Sequence, residues 1–467
     1  MASEALFSER MNDQDALMFQ IERDPLLRST MVGVIKLDRS LDPDRLARSV
    51  ENLVRAQPRF RQRAEPDVLS LAPPRWEPDP YFDLDFHVAR IAAAGAGTDA
   101  DLLEGVAKLS MSSFDLARPL WRMLVVDGLE GGRSAIVLKI HHSVTDAVGF
   151  FQVLGHLIQA GRDDEVPVSE EADAGMRMGT LERLADAFRY RLREGGGLLV
   201  GRARNIRAGL ATEPATTFAD GRSLADSVWR MFRPETTPKS TVMVGRSLNV
   251  RFDMFKLSLD DLKAASKQSG GKLNDAFLAG IAGGLARDHA HHGARPTGLR
   301  VDMPVNVRDA STAAGGNAFV PARFLLPVGI DDPLERMRAI GPIVQRVRAE
   351  PALTRFGTPV RILNRAPALA TPVFAMMLKS VDVAASNVPG PPFRLYCAGA
   401  EIEEMYPFGP LAGAAVNISV LSYDGQLCVA VKTDTAAVPD ADKLRECLIE
   451  GFEEVLACAP ARTVAQQ

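Results

Sequence analysis

In the segment KIHHSVTDAVGF (residues 139–150) two adjacent histidines, His141 and His142, end an apolar run, and Asp146 stands four positions after the second. The chain holds seven histidines in 467 residues, so two side by side ask for a chemical explanation. A neutral imidazole titrates near physiological pH and can take a proton from a hydroxyl, provided its other nitrogen is held in one tautomer. A carboxylate across a strand-to-helix turn can organise the loop by pairing with an arginine or by accepting backbone N–H bonds, and it is favoured near a helix N-terminus. General-base chemistry suits this trio. A metal site is disfavoured, because vicinal histidines on a strand diverge and only one carboxylate accompanies them. The second histidine cluster, HAHHG from His289, ends a helix and reads as a solvated C-terminus.

The elements that position the trio are legible on both sides. WRMLVVDGL (121–129) and SAIVLKI (134–140) are β-rich runs separated by EGGR, which predicts a hairpin whose second strand delivers His141 and His142 at its end. Beyond them Ala147, Phe150, Phe151, Leu154, Leu157 and Ile158 keep a helical period, which places Asp146 at or near a helix start. Successive strand side chains point to opposite faces, so the two histidines cannot share one job. One faces a cavity and the other faces packing.

Further out, MVGVIKLDRSLDPDRLARSVENLVRAQ predicts a strand over about 32–38 and a helix capped near Ser40 or Asp42. The same order returns in NVRFDMFKLSLDDLKAASKQSG, a strand over about 249–257 followed by a helix with Ser258 and Asp261 at its start. Two related halves follow from that repetition. GKLNDAFLAGIAGGLARDH reads as a long helix that Asn274 caps, Asp424-Gly425 as a hairpin turn, and 440–457 as a last helix with Leu444, Leu448, Phe452 and Val455 on one face. Between the halves lies a charged, turn-rich stretch with an arginine-rich helical part from Leu181 to Leu210, which reads as a solvated cover or as a weak anionic-surface contact. The expected units are residues 1–160, a crossover 161–245, and 246–467.

Composition sets the outer bounds. With 46% hydrophobic and 24% charged residues the chain has an ordinary globular balance, and its length predicts more than one core. A net charge of −4 supplies no basic field for nucleic acid. Cys397, Cys428, Cys447 and Cys458 show no CxxC spacing and read as reduced thiols, no signal peptide and no spanning apolar run are evident, and a cytoplasmic, peripherally membrane-associated protein is expected. The apolar, Met-containing stretch 359–379 is the expected contact.

HHSVTDA resembles the HHxxxDG motif of the CoA-dependent acyltransferase superfamily. With Pro119-Leu120-Trp121, Asn274-Asp275 in KLNDAFLA, SNVPGPP at 386–392, MNDQDALMF, PVNVR and GAAVNISVLSYDGQL, the chain is similar to the bacterial wax ester synthase/diacylglycerol acyltransferase family over about residues 11–430. The resemblance implies an α/β fold of two chloramphenicol-acetyltransferase-like subdomains, V-shaped with a tunnel at their junction. Acyl-CoA enters as substrate from one side and a fatty alcohol or diacylglycerol from the other, with no cofactor and no metal. It makes His142 the base and Asp146 its structural partner, with His141 in the same motif. Asn274, Asp275, Ser386, Asn387, Trp121, Ala147 and Gly149 become supporting or substrate-binding positions, and QPRFRQR points to Arg61 as the arginine that pairs with the motif aspartate. Trp121 on a hairpin strand reads first as core packing. The chain departs from the motif at Ala147, where the family has glycine; the extra methyl narrows backbone approach beside the base. No GxSxG is present, and none is needed: a thioester brings its own leaving group. Two other readings use the same site: a condensation-type or polyketide-associated acyltransferase with a carrier-bound donor, and a catalytically weak lipid-binding or lipid-droplet protein.

Overall fold

The computed structural model describes residues 9–67, 69, 71–145, 147–166, 168–193, 237–306, 319–350, 372 and 375–460. Among these, β2 (Gln62–Glu65) and β3 (Arg75–Pro78) form a small ribbon, and two larger mixed sheets of six strands each carry the two halves. In the first, β4 (Val88–Ala92), β5 (Trp121–Leu129), β6 (Arg133–His141), β1 (Thr30–Leu37), β12 (Ala400–Phe408) and β11 (Tyr396–Cys397) lie side by side in that order. In the second the order is β7 (Val250–Ser258), β14 (Gln426–Asp434), β13 (Val416–Tyr423), β10 (Val383–Val388), β8 (Gly298–Asn306) and β9 (Phe319–Pro327). The helices include α1 (Asp13–Ile21), α2 (Pro43–Ala56), the single turn α3 (Leu84–His87), α4 (Asp99–Met111), α5 (Ala147–Leu154), α6 (Leu259–Gln268), α7 (Leu273–His291), α8 (Pro333–Arg348) and α9 (Ala441–Leu456), and residues 180–193 are helical as well.

Local chemistry accounts for the boundaries. The Asp42 side chain accepts the Arg45 N–H and Pro43 opens α2, whose Leu46, Val50, Leu53 and Val54 are buried at helical spacing. Ser258 accepts the Asp261 N–H at 3.2 Å and starts α6. The strand–helix sentence read twice in the sequence thus folds twice. The β13–β14 hairpin turns through Asp424 at φ 43° and Gly425 at φ 77°, a left-handed pair that only such residues enter cheaply. The buried face of α9 is Leu444, Leu448, Phe452 and Val455; it lies so close to α7 that a Cβ on Gly284 would sit 2.6 Å from the Leu448 Cα.

The halves are interleaved. Residues 396–408, within the unit expected to begin at 246, complete the first sheet by pairing β12 with β1. At that seam Glu404 of β12 meets Lys36 of β1 at 3.3 Å and Lys256 of β7, in the second sheet, at 2.6 Å. Helix α4 lies at the same junction. Its last carbonyls have no partners within the helix, and cations gather at that end: Lys139 of β6 donates to the Ser112 carbonyl at 2.7 Å, Arg28, just before β1, donates to the Met111 carbonyl at 2.5 Å, and Lys432 of β14 donates to the Ser110 hydroxyl at 3.1 Å. Burial pushes the Lys139 ammonium down to about 8 and that of Lys432, also repelled by Lys139 and Arg28, down to about 7.

Two local expectations change. Asn274 does not cap α7: Asp275 accepts the Lys272 N–H at 2.8 Å, because the cap falls at Lys272, two residues earlier, and the carboxylate lies over the first turn. The HAHHG segment is only partly solvated; His289 is fully buried, bonded to the Ser240 hydroxyl at 2.7 Å and the Leu285 carbonyl at 2.8 Å. The stretch 359–379 and the crossover beyond residue 193 lie largely outside the described residues.

Candidate active site

The histidines separate as strand alternation requires. β6 ends with His141 paired to Thr30 of β1, and the next residue turns out of the sheet with its N–H held by the Ser29 carbonyl at 2.8 Å. His141 is 1% exposed. Its Nδ1 accepts the Ser143 N–H at 3.1 Å, which leaves the ring proton on Nε2, 2.9 Å from Glu22 Oε1. Phe19 and Phe114 present their ring edges at 6.1 and 5.9 Å. Glu22 also accepts the Ser29 N–H. Burial raises the Glu22 carboxyl, but the His141 imidazole and the Ser29 N–H outweigh it and hold the group below the ordinary carboxylate range. Ser29 is thus bonded through its N–H to Glu22 and through its carbonyl to His142. Backbone and half-buried carboxylate together fix where the second histidine sits.

His142 faces a cavity of about 360 Å³ between the halves. The first half contributes Leu17 and Ile21 of α1, Met31 and Gly33 of β1, and Phe150 of α5. A Cβ on Gly33 would fall 2.7 Å from Phe150 Cζ, so the glycine makes room for the ring. The second half contributes Asp302, Ser386, Asn387, Asn417 and Ser419. Asn387 donates to Asn274 Oδ1 at 2.5 Å, which orders its amide and leaves a second N–H to offer. Ser419 donates to Asn417 Oδ1 at 2.7 Å, and Asn417 donates to the Pro410 carbonyl at 3.0 Å. On the opposite face of α1, a second cavity of about 590 Å³ is lined by Phe19, Glu22, Arg23, Arg28, Arg63 and Phe114, among others.

The remaining sequence candidates sort by place. Ser386, Asn387 and Asn274 join the site, across more than a hundred residues of chain. Asp275 caps α7, and Trp121 is fully buried, donating to the Phe60 carbonyl at 3.0 Å and stacked on His87 with ring centroids 4.6 Å apart. The guanidinium of Arg61 is taken by Glu171 and by the Ala172 carbonyl at 2.7 Å, a clamp on the start of the crossover. Ala147 and Gly149 open α5; Asp146 lies outside the described residues. Sequence reasoning did not single out Glu22, Ser29, Asp302, Asn417 or Ser419. Asn417 and Ser419 stand in GAAVNISV, where alternate polar residues in an apolar strand were a usable signal; Glu22 and Asp302 carry none.

With this geometry in place, comparison with known proteins is informative. Residues 11–277 match the family described as the wax ester synthase/diacylglycerol acyltransferase catalytic domain, and residues 315–455 match the WS/DGAT C-terminal domain. A Mycobacterium tuberculosis protein provisionally named a diacylglycerol O-acyltransferase is 34% identical over 97% of this chain and 92% of its own. Among solved structures, the wax ester synthase/diacylglycerol acyltransferase of Marinobacter aquaeolei VT8 superposes with a TM-score of 0.65 at 21% identity, over 97% of this chain and all (100%) of that one. The first condensation domain of the calcium-dependent antibiotic synthetase gives 0.61 at 16%, over 98% and 97%. The structural matches establish the fold, with its two subdomains.

Proposed function

We propose, for a chain that belongs to the wax ester synthase/diacylglycerol acyltransferase family and is an acyl-CoA-dependent O-acyltransferase, that His142 takes the proton from the acceptor hydroxyl. The hydroxyl oxygen attacks the thioester carbonyl, a tetrahedral oxyanion forms, and its collapse breaks the C–S bond. The imidazolium returns its proton to the CoA thiolate, so the histidine ends neutral. Asn387 offers its second amide N–H to the oxyanion. Fatty alcohol or diacylglycerol is the acceptor class, giving wax ester or triacylglycerol. The observation that carries this reading is the position of His142 on the cavity between the halves, its backbone tied through Ser29 to Glu22 and so to the buried His141. Cavities on the two faces of α1 suit two substrates arriving from opposite sides. The family match favours a CoA-linked donor over a carrier-bound one, and an enzyme over a lipid scaffold.

We read its membrane or lipid-droplet contact as peripheral. No helix among the described residues is long and apolar enough to cross a membrane. Leu181, Phe188 and Leu192 are exposed, and at helical spacing they share one face beside Arg189 and Arg193.

Radiolabelled acyl-CoA supplied with hexadecanol and, in parallel, with diacylglycerol tests the reading. His142→Ala should lower turnover on the order of 100-fold to 10,000-fold with little change in melting temperature. A folded His142→Ala protein with near-normal ester formation would overturn it.

A further inference from the structure

Asp302 lies in the middle of β8, paired with Ala384 of β10 on one side and with Arg323 of β9 on the other, and it lines the cavity that holds His142. Among the described residues its carboxyl has no hydrogen bond and no ion pair, and Oδ1 is enclosed without a partner. The guanidinium of Arg323 acts on it only at longer range. Burial pushes the Asp302 carboxyl up to about 6, the Arg323 charge opposing the rise, so near neutral pH the group is mostly ionised. An ionised carboxylate on the wall of a lipid cavity is costly to cover with an alkyl chain alone, because it loses water and receives nothing in return.

A primary fatty alcohol and a diacylglycerol each own one hydroxyl, and the reaction uses that one at His142. Neither brings a second donor. We propose that Asp302 receives an additional O–H or N–H of the acceptor, so that the preferred acceptor is a hydroxylated lipid, such as a diol or a monoacylglycerol. This rests on reading the His142 cavity as the acceptor chamber. Strand geometry sets the spacing. Asp302 stands beside Ala384, three residues before Asn387, so a rise of ~3.3 Å per residue and a strand separation of ~4.8 Å put the Asp302 and Asn387 Cα atoms roughly 11 Å apart. The second donor therefore sits several bonds along the acceptor from the reacting hydroxyl.

Oleyl alcohol and ricinoleyl alcohol differ by one mid-chain hydroxyl and form a matched pair of probes, with monooleoylglycerol as a third acceptor. Each is supplied with radiolabelled acyl-CoA to the full-length wild-type chain, to Asp302→Leu and to Asp302→Asn. The wild type should favour a hydroxylated acceptor over oleyl alcohol by about tenfold to a hundredfold in kcat/KM. That ratio should collapse towards one in Asp302→Leu and fall part of the way in Asp302→Asn, whose amide oxygen still accepts. Asp302→Asn, of nearly the same shape, keeps the test alive if the leucine variant fails to fold. Wild-type ratios near one, as when a water molecule satisfies the carboxylate, overturn the proposal; so do ratios that both variants retain. Wild-type protein that esterifies no acceptor overturns the transferase reading as well, whereas esters formed at unchanged ratios overturn this inference alone.

Discussion

The two walls of the His142 cavity carry polarity in different ways. On the first-half wall the side chains are mostly apolar, Leu17, Ile21, Met31 and Phe150, and His142 is held through its backbone: its N–H donates to the Ser29 carbonyl, while the Ser29 N–H donates to Glu22, whose carboxylate lies beside His141. On the second-half wall polarity is held side chain to side chain, Asn387 on Asn274 and Ser419 on Asn417, within an otherwise apolar sheet. A residue set by its backbone tolerates changes around it as long as its strand end holds. Side-chain networks in a buried sheet are more easily lost, because each member left alone is an unsatisfied polar group. His142 and the polar groups across the cavity from it also follow different sheets, so their mutual geometry depends on how the halves meet.

The sharpest way to break the contrast is Asn387→Leu. If Asn387 donates to the oxyanion, turnover should fall roughly 100-fold to 1,000-fold, while KM for acyl-CoA changes far less. Unchanged kcat in folded protein would remove the second wall from the chemistry and leave it a lining.

Glu22→Gln probes the opposite wall and should do less, lowering turnover by about threefold to tenfold, since the backbone bond to Ser29 still positions His142. Its clearer signature is in acid. The Glu22 carboxyl lies below its ordinary value in the folded state, so its contribution is complete above the unfolded pKa near 4.3 and is lost as pH falls through the lower folded value. Melting curves across that acid window should therefore fall less steeply for Glu22→Gln than for the wild type. Parallel curves would show that Glu22 does not bear on the fold.

Lys432→Met leaves both walls untouched and asks how the halves are joined; its effect should be the smallest. A lysine held down to about 7 in the folded protein destabilises it at every pH below the unfolded value, because the charged form is the one that burial disfavours. The penalty is complete below about pH 7 and fades as pH rises to the unfolded value near 10.4. Lys432→Met should raise the melting temperature by a few degrees at pH 6, with the gain shrinking towards pH 10. A variant less stable than wild type at every pH would mean that the bond to Ser110 outweighs the cost of burying the charge.

Much of this was readable along the chain, for a physical reason. The 121–141 hairpin, the caps at Asp42 and Ser258, the Asp424-Gly425 turn and the buried stripe of α9 depend on residues within a few positions of one another, and local sterics and hydrogen bonding decide them. The unequal fates of His141 and His142 were expected from strand alternation, and the motif blocks resembled those of the family. Other features depend on contacts that no local rule constrains. That residues 396–408 cross over to finish the first sheet, that Asn274 meets Asn387, that Glu22 lies 2.9 Å from His141 and that Asp302 faces the same cavity as His142 are set by how two sheets pack. The same packing turned Arg61 towards Glu171 and buried His289 against Ser240, where the resemblance had suggested a partner for Asp146 and residue type a solvated helix end. Sequence by itself determined most of the elements and singled out His142 as the candidate base. Tertiary structure decided what faces that base, because the opposing groups are brought in by strands that meet only when the two halves close on each other.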